Sequence, residues 1–120
     1  MSRYMVLGKL LGANFNVTTD QAIPMLYGHA VVADIIVTNA STSLTTAAGG
    51  FYTAASKGGT AIVAAGQAYS ALTGAGVALK CTIAVAQRVT SAGQIFLSLT
   101  TGQGSAATAD VYVLGVEADG

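Results

Sequence analysis

Side chains capable of acid–base or nucleophilic chemistry are few and widely separated in this sequence. His29 is the sole histidine and Cys81 the sole cysteine. A Ser–His–Asp or Cys–His device needs a histidine beside its nucleophile. His29 instead precedes a run of Val and Ile, where a structural or surface role fits better. A lone histidine far from a lone cysteine also offers no metal-ligand spacing, so the sequence predicts no catalytic triad, no metal site and no cofactor.

The acidic residues raise a second possibility, the paired carboxylates of glycoside hydrolases. There are five of them: Asp20, Asp34, Asp110, Glu117 and Asp119. Asp20 lies in a turn-like Thr-Thr-Asp-Gln run and Asp110 precedes a strand, so both are expected to bond local backbone amides. Asp34 lies within an apolar strand, and if buried it needs a cationic partner such as Lys80 or Arg88.

Residues 56–60, Ser-Lys-Gly-Gly-Thr, share only their composition with a phosphate-binding loop. The Walker pattern places Gly-Lys-Ser/Thr after a glycine and four further residues, at the start of a helix. That order is absent here. The segment is predicted to be the turn of a hairpin between two short strands.

The composition is unusual in its shortage of charge. Charged residues make up 8% of the 120 residues and apolar residues 52%, whereas charged residues usually make up about 25%. Such a chain must leave apolar surface exposed, and large exposed apolar patches usually mark interfaces. We therefore expect a homo-oligomer. The basic residues are scattered, which argues against a nucleic-acid partner and an anionic membrane surface; they are Arg3, Lys9, Lys57, Lys80 and Arg88.

The sequence also lacks export and membrane signals. No apolar run reaches the roughly 18 residues of a membrane span, and the first residues do not have the pattern of a signal peptide. A single cysteine excludes an intrachain disulfide. We expect a protein that is made in a reducing cytoplasm.

The elements that position these residues are short β-strands separated by Gly, Ser, Thr and Asn. The clearest predicted strand covers residues 79–86, in which Leu79, Cys81, Ile83 and Val85 form one apolar face, so Cys81 is expected in the core. Other strands are predicted over residues 29–38, 51–55, 61–65, 94–100 and 110–116. The last is apolar on both faces, so it is either central or covered by a neighbouring subunit.

The remaining segments are less regular. Residues 3–11 are predicted to be a strand or a loose arm, and residues 13–18 are predicted to be extended. Pro24 removes a hydrogen-bond donor, so residues 22–26 are at best an edge strand. Residues 63–72 are the best helix candidate, although a strand and turn is favoured. About eight short strands predict a single all-β domain over residues 1–120, a jelly-roll-like β-sandwich with residues 1–16 as a candidate arm.

Three stretches resemble small structural proteins of tailed bacteriophages. The first is Asn-Phe-Asn-Val-Thr-Thr-Asp-Gln-Ala-Ile-Pro at residues 14–24; the second runs from Val-Thr-Asn-Ala-Ser at 37–41 through 43–50 to Phe-Tyr-Thr at 51–53; the third joins Leu-Ser-Leu-Thr-Thr at 97–101 to residues 106–113. The likeness spans nearly the whole chain. It implies a virion protein, commonly a capsid decoration or cement protein or a part of a fibre, and it carries over no catalytic residues.

The first hypothesis is therefore a capsid decoration protein, made in the bacterial host cytoplasm and placed on the capsid surface. Its expected partners are the major capsid protein and copies of itself, as a homotrimer. The interface residues that we predict are Arg3, Tyr4, Asn14, Phe15, Tyr112 and Leu114. The alternative is a tail or head fibre domain that binds a host receptor, which predicts an exposed aromatic or polar groove. A small hydrolase is the third hypothesis.

Overall fold

The computed structural model describes residues 4–25, 30–84, 87–89 and 95–117, and these ranges form nine β-strands. The strands are β1 (Tyr4–Asn14), β2 (Gln21–Ile23), β3 (Ala30–Thr38), β4 (Ala48–Ala54), β5 (Gly58–Val63), β6 (Ala78–Lys80), β7 (Gln87–Val89), β8 (Ile95–Thr101) and β9 (Thr108–Glu117). The described ranges contain no helix. The prediction of an all-β protein is confirmed.

The strands form two antiparallel sheets. The first sheet has the order β1-β9-β3-β6, with β7 also paired to β3, and the second has the order β2-β8-β4-β5. β6 pairs with one end of β3 and β7 with the other, so they share one strand position. Eight strand positions in two sheets, with the chain passing repeatedly from one sheet to the other, are the arrangement of a jelly roll. The predicted β-sandwich is confirmed.

The core lies between the sheets and follows the period-two alternation of the strands. On β9, Val111 and Val113 are fully buried, while Tyr112 and Leu114, which alternate with them, are half-buried. Strand β8 buries Ile95, Leu97 and Leu99 in the same way. Each of these strands thus contributes one face to the core.

Among the residues that the structure describes, Tyr69 is the largest fully buried side chain, and it joins several loops to the core. Its ring meets Phe15 edge-on, with 5.1 Å between ring centroids, and its hydroxyl donates to the Gly49 carbonyl oxygen at 2.9 Å. Burial raises the pKa of Tyr69 well above its usual value. Burial likewise raises the pKa of the nearby Cys81 thiol to about 12. Cys81 is therefore a core residue, as predicted.

The strand predicted over residues 79–86 is wrong for residues 81–84, because β6 ends at Lys80. The Cys81 backbone N–H still donates to the Ile35 carbonyl oxygen of β3 at 2.9 Å, but the Ala84 N–H donates to Ile62 of β5, in the other sheet, at 2.8 Å. The segment therefore leaves the ladder and crosses the edge of the sandwich. Alternation of the side chains predicted that Cys81 faces inward, but it could not show that the backbone changes partner.

The two sheets are also joined at the opposite edge of the sandwich, between β1 and the end of β2. Gly8 of β1 forms an isolated bridge with Met25, just after β2. A Cβ on Gly8 would lie 2.5 Å from the Pro24 carbonyl oxygen, so this close approach needs a glycine. β2 stands at the edge of its sheet, so the edge strand predicted over residues 22–26 is present at Ala22 and Ile23 and ends before Pro24; residue 26 lies outside the described ranges.

The N-terminal segment is part of the first sheet. Residues 4–14 form β1, which pairs with β9 along its length. The prediction of a loose arm is therefore wrong for these residues, because their backbone groups are bonded in a ladder; residues 1–3 lie outside the described ranges. The helix considered for residues 63–72 is absent. That stretch contains the end of β5 and two turns, as the favoured alternative predicted.

Candidate interaction surface

The outer face of the first sheet carries a cluster of apolar side chains, which we call the outer apolar patch. Its members alternate with core residues along their strands and are half-buried or exposed. Val6 of β1, for example, is 37% exposed. The patch consists of Val6, Val31, Ile36, Tyr112, Leu114 and Val116.

The strand register makes this patch continuous. Directly paired residues form three rows across the sheet: Val116 beside Val31; Val6 beside Leu114 and Asp34; and Lys9 beside Tyr112, Ile36 and Lys80. Side chains paired in this way lie about 4.5–5.5 Å apart at Cβ. The apolar members are therefore neighbours across β1, β9 and β3 and form one surface.

Opposite charges flank the outer apolar patch. Lys9 is exposed on the β1 side. On the β3 side Asp34 pairs with Lys80 at 3.1 Å, with 17% of the Asp34 side chain and 67% of the Lys80 side chain exposed. Lys80 is one of the two partners predicted for Asp34. The side chain of the other, Arg88, lies outside what the structure describes.

Two of the predicted interface residues, Tyr112 and Leu114, lie at the centre of the outer apolar patch. The sequence pointed to them because β9 is apolar on both faces, and the structure shows that the second face points away from the core. Sequence reasoning missed Val31 and Ile36 of β3. The signal was present, since β3 is also apolar on both faces. For this strand we considered only the ion pair that Asp34 would need.

The other predicted interface residues lie elsewhere. Phe15 is fully buried, so it is a core residue and drops out of the candidate interface. Asn14 is exposed at the end of β1, where its backbone exchanges hydrogen bonds with the Gln21 side chain. Tyr4 begins β1 opposite Val116, although its side chain is not among those described, and Arg3 lies outside the described ranges.

A second surface feature is a shallow polar cleft beside the second sheet. It is lined by Thr18, Thr19, Asp20, Ser56 and Lys57. Lys57 donates from Nζ to Ser98 Oγ at 2.9 Å, and the Ser56 backbone N–H donates to Asp20 Oδ2 at 2.6 Å. Ser98, on β8, is fully buried. These bonds fasten the tip of the β4–β5 hairpin across the second sheet.

The hairpin tip has an unusual backbone. Ser56 and Lys57 have φ values of 59° and 58°, in the left-handed region that favours glycine. The bonds to Asp20 and Ser98 hold these two residues in that conformation. The predicted hairpin turn is present at Ser56 and Lys57, whereas residues 58–60, which were predicted to belong to the turn, already form the start of β5.

Serine, lysine and aspartate meet in this cleft, a combination that some hydrolases use for nucleophilic attack. Ser98 has no exposed surface, and its hydroxyl is bonded to Lys57 and to the Asp20 carboxylate. A substrate has no route to this hydroxyl while the hairpin is closed. These bonds give the cluster a structural role. We call it the clamp, and it consists of Asp20, Ser56, Lys57 and Ser98.

The clamp makes a pH-dependent contribution to stability. The Ser56 N–H holds the pKa of Asp20 below its usual 3.8, with further lowering by the Ser98 hydroxyl and Lys57. A carboxyl whose pKa is lower in the folded state stabilises the fold above its unfolded pKa, and that stabilisation is lost as the pH falls through the folded pKa.

We predict that Asp20→Asn lowers the melting temperature at pH 7 and that the difference from the native protein shrinks once the pH falls below the usual Asp pKa of 3.8. The check is a series of thermal melts from neutral pH into strong acid. Thr73→Asp is the control, because it adds a carboxylate to an exposed residue outside the clamp. A difference that persists unchanged in strong acid would contradict the assignment.

Metal and membrane features are also absent from the part of the chain that the structure describes. Residues 4–25, 30–84, 87–89 and 95–117 hold no group of three His, Cys, Asp or Glu side chains placed to bind a metal ion; His29 falls outside them. The same ranges include no helix able to cross a membrane.

The fold and its surfaces define an all-β jelly roll with an apolar outer face on one sheet and a clamped hairpin on the other. Comparison with known proteins adds no relative. No protein-family model, no curated protein and no solved structure matches the chain. A function must therefore be argued from the residues and surfaces themselves.

Proposed function

We propose that the protein is a capsid decoration protein of a tailed bacteriophage, which binds the major capsid protein on the virion surface as a symmetric oligomer. The observation that carries the proposal is the outer apolar patch. Burying apolar surface contributes roughly 25 cal/mol per Å², so a face of this kind favours permanent contact between the copies of the oligomer that binds the capsid. Repetition of modest contacts over a symmetric shell would stiffen it.

Two further points support the proposal. The resemblance of residues 14–24, 37–53 and 97–113 to phage structural proteins covers both sheets. The jelly roll is a fold that viral capsid and lectin domains use, although this is an analogy at the level of the fold. The shortage of charge is in keeping with a surface that is covered in the assembled particle.

The proposal is tested on particles with and without the protein. Particles that carry it should retain their genome at higher temperature and lower salt than particles that lack it. Re-addition of purified protein should restore retention. Leu114→Glu should fail to restore it, because a carboxylate at the centre of the outer apolar patch opposes burial.

The matched control is Thr73→Glu, which places the same charge on an exposed residue outside the outer apolar patch. It should restore retention as the native protein does. Equal genome retention with and without the protein would overturn the proposal.

A specific observation keeps the fibre-domain alternative in view. A receptor-binding domain needs an exposed groove, and the cleft beside Asp20 and Lys57 is exposed and polar. Under this alternative, removal of the protein from the virion lowers adsorption to host cells and leaves genome retention unchanged. Lys57→Ala would then lower adsorption as well.

A further inference from the structure

We propose that two copies of this chain pair face to face through the outer apolar patch, about a twofold axis that runs along β9. The inference rests on the proposed function only in that the protein assembles with itself. It goes further by naming the surface, the symmetry and the residues that meet. The occupant of the patch is a second copy.

The first sheet has the size that such a pairing needs. β9 contains ten residues, and at about 3.3 Å per residue and about 4.8 Å between strands, four strand positions cover a footprint of roughly 600 Å². Side-chain relief makes the accessible area larger than the footprint. A standard protein interface buries about 800 Å² on each partner, so the face is large enough for a stable contact.

The positions of the charged residues favour one orientation of the twofold axis. A twofold axis along β9 exchanges the β1 side of one copy with the β3 side of the other. Lys9 then stands over Ile36 of the second copy, two residues along β3 from Asp34. Stacked sheets lie about 10 Å apart, a gap that lysine and aspartate side chains can bridge. Symmetry makes this contact twice.

An axis across the strands lacks this complementarity. It would place Lys9 over β1 of the second copy, and β1 contains no acidic residue. The axis along β9 also brings Lys9 to the side of the patch that carries the Asp34–Lys80 ion pair. Charge complementarity of this kind fixes the orientation of a contact whose free energy comes from apolar burial.

The pairing has a consequence for the number of copies. A twofold contact uses the same surface on both partners, so the protein should form dimers or assemblies of dimers. The inference thus differs from the homotrimer expected from the sequence. A purified trimer without a twofold contact would be incompatible with the inference.

The test uses two variants. Each variant alone places like charges opposite each other in the dimer, and a mixture of the two places opposite charges together. In Lys9→Glu, the new carboxylate faces Asp34 of the second copy. In the double variant Asp34→Lys with Lys80→Glu, the pair within the chain is preserved in reverse, but the lysine introduced at position 34 faces Lys9. Each variant alone should dimerise at least about tenfold more weakly than the native protein.

An equimolar mixture of the two variants should restore dimers. In the mixed dimer, the carboxylate introduced at position 9 of one copy faces the lysine introduced at position 34 of the other, and the native Lys9 faces the native Asp34. Sedimentation velocity measures all three samples at one ionic strength. Thr73→Glu, which places a carboxylate on an exposed residue outside the patch, is the control and should dimerise as the native protein does. Circular dichroism confirms that each variant is folded.

Two further results would overturn the inference: native protein that stays monomeric at high micromolar concentration, or folded variants whose dimerisation is unchanged alone and in the mixture. Its failure is separable from failure of the proposed function. If the protein dimerises but does not protect particles, the decoration role is overturned and the pairing stands. If the protein is monomeric but protects particles, the pairing is overturned and the decoration role stands.

Discussion

Gly115→Ala is expected to destabilise the protein by at least about 3 kcal/mol, the upper part of the range for overpacked cores. Gly115 lies on β9, the strand between β1 and β3. A Cβ there would overlap the Val31 carbonyl oxygen and lie 3.0 Å from both the Ala33 backbone nitrogen and Leu7 Cδ1. Two of these neighbours are backbone atoms of β3, so they cannot move aside without disturbing the pairing of β3 with β9.

Urea unfolding followed by circular dichroism measures this effect against a total stability of roughly 5–15 kcal/mol for a domain of this kind. Gly76→Ala is the control, since a Cβ on Gly76 meets no atom within 4 Å. It should leave the free energy of unfolding nearly unchanged. If Gly115→Ala were equally harmless, the close approach of β3 and β9 at this point would be wrong.

Phe15→Ala is expected to lower the free energy of unfolding by about 3–5 kcal/mol, the usual cost of removing a buried phenylalanine. The ring is fully buried and packs edge-on against Tyr69. Its backbone also bonds to Ala107 and Gln103, so it fixes the turn after β1 to the loop before β9. The cavity would therefore loosen both loops.

The same variant separates a core role from an interface role. Under conditions in which it remains folded, Phe15→Ala should associate with itself as the native protein does, because Phe15 is outside the outer apolar patch. Phe15→Leu, which keeps most of the volume, should cost less than Phe15→Ala. Loss of association without loss of stability would return Phe15 to the interface that the sequence predicted.

Much of the fold follows from local alternation. The two-sided apolar pattern of residues 110–116 predicted that β9 is central or covered, and β9 does lie between two strands with a second apolar face outside the core. The same reasoning placed Cys81 in the core. Period-two alternation reports which side of a strand is apolar, and that property depends only on neighbouring residues.

What alternation could not provide is the choice of distant partners. The bond from Ala84 to Ile62 and the bridge between Gly8 and Met25 join the two sides of the sandwich, and no local pattern encodes them. Phe15 shows the same limit. It follows the end of a strand, where no alternating neighbours indicate whether a lone aromatic side chain packs inward or outward.

The clamp of the β4–β5 hairpin was also beyond local reasoning. The turn itself was predicted from Gly58 and Gly59, but its position across the second sheet depends on Asp20 and Ser98. Both partners are remote in sequence. The sequence alone therefore did not predict that the charged residues of the cleft lie close together in the fold.

The bonds at the two edges of the sandwich have a consequence for solubility. A free strand edge can template the addition of strands from other molecules, which leads to aggregates and fibres. Near Gly8 and Ala84 the edge backbone is already bonded across the sandwich to the other sheet. Growth from these points is blocked, and a face that pairs with itself is occupied after one encounter. The chain can thus be apolar enough to assemble while strand addition is blocked at these two points of its edges.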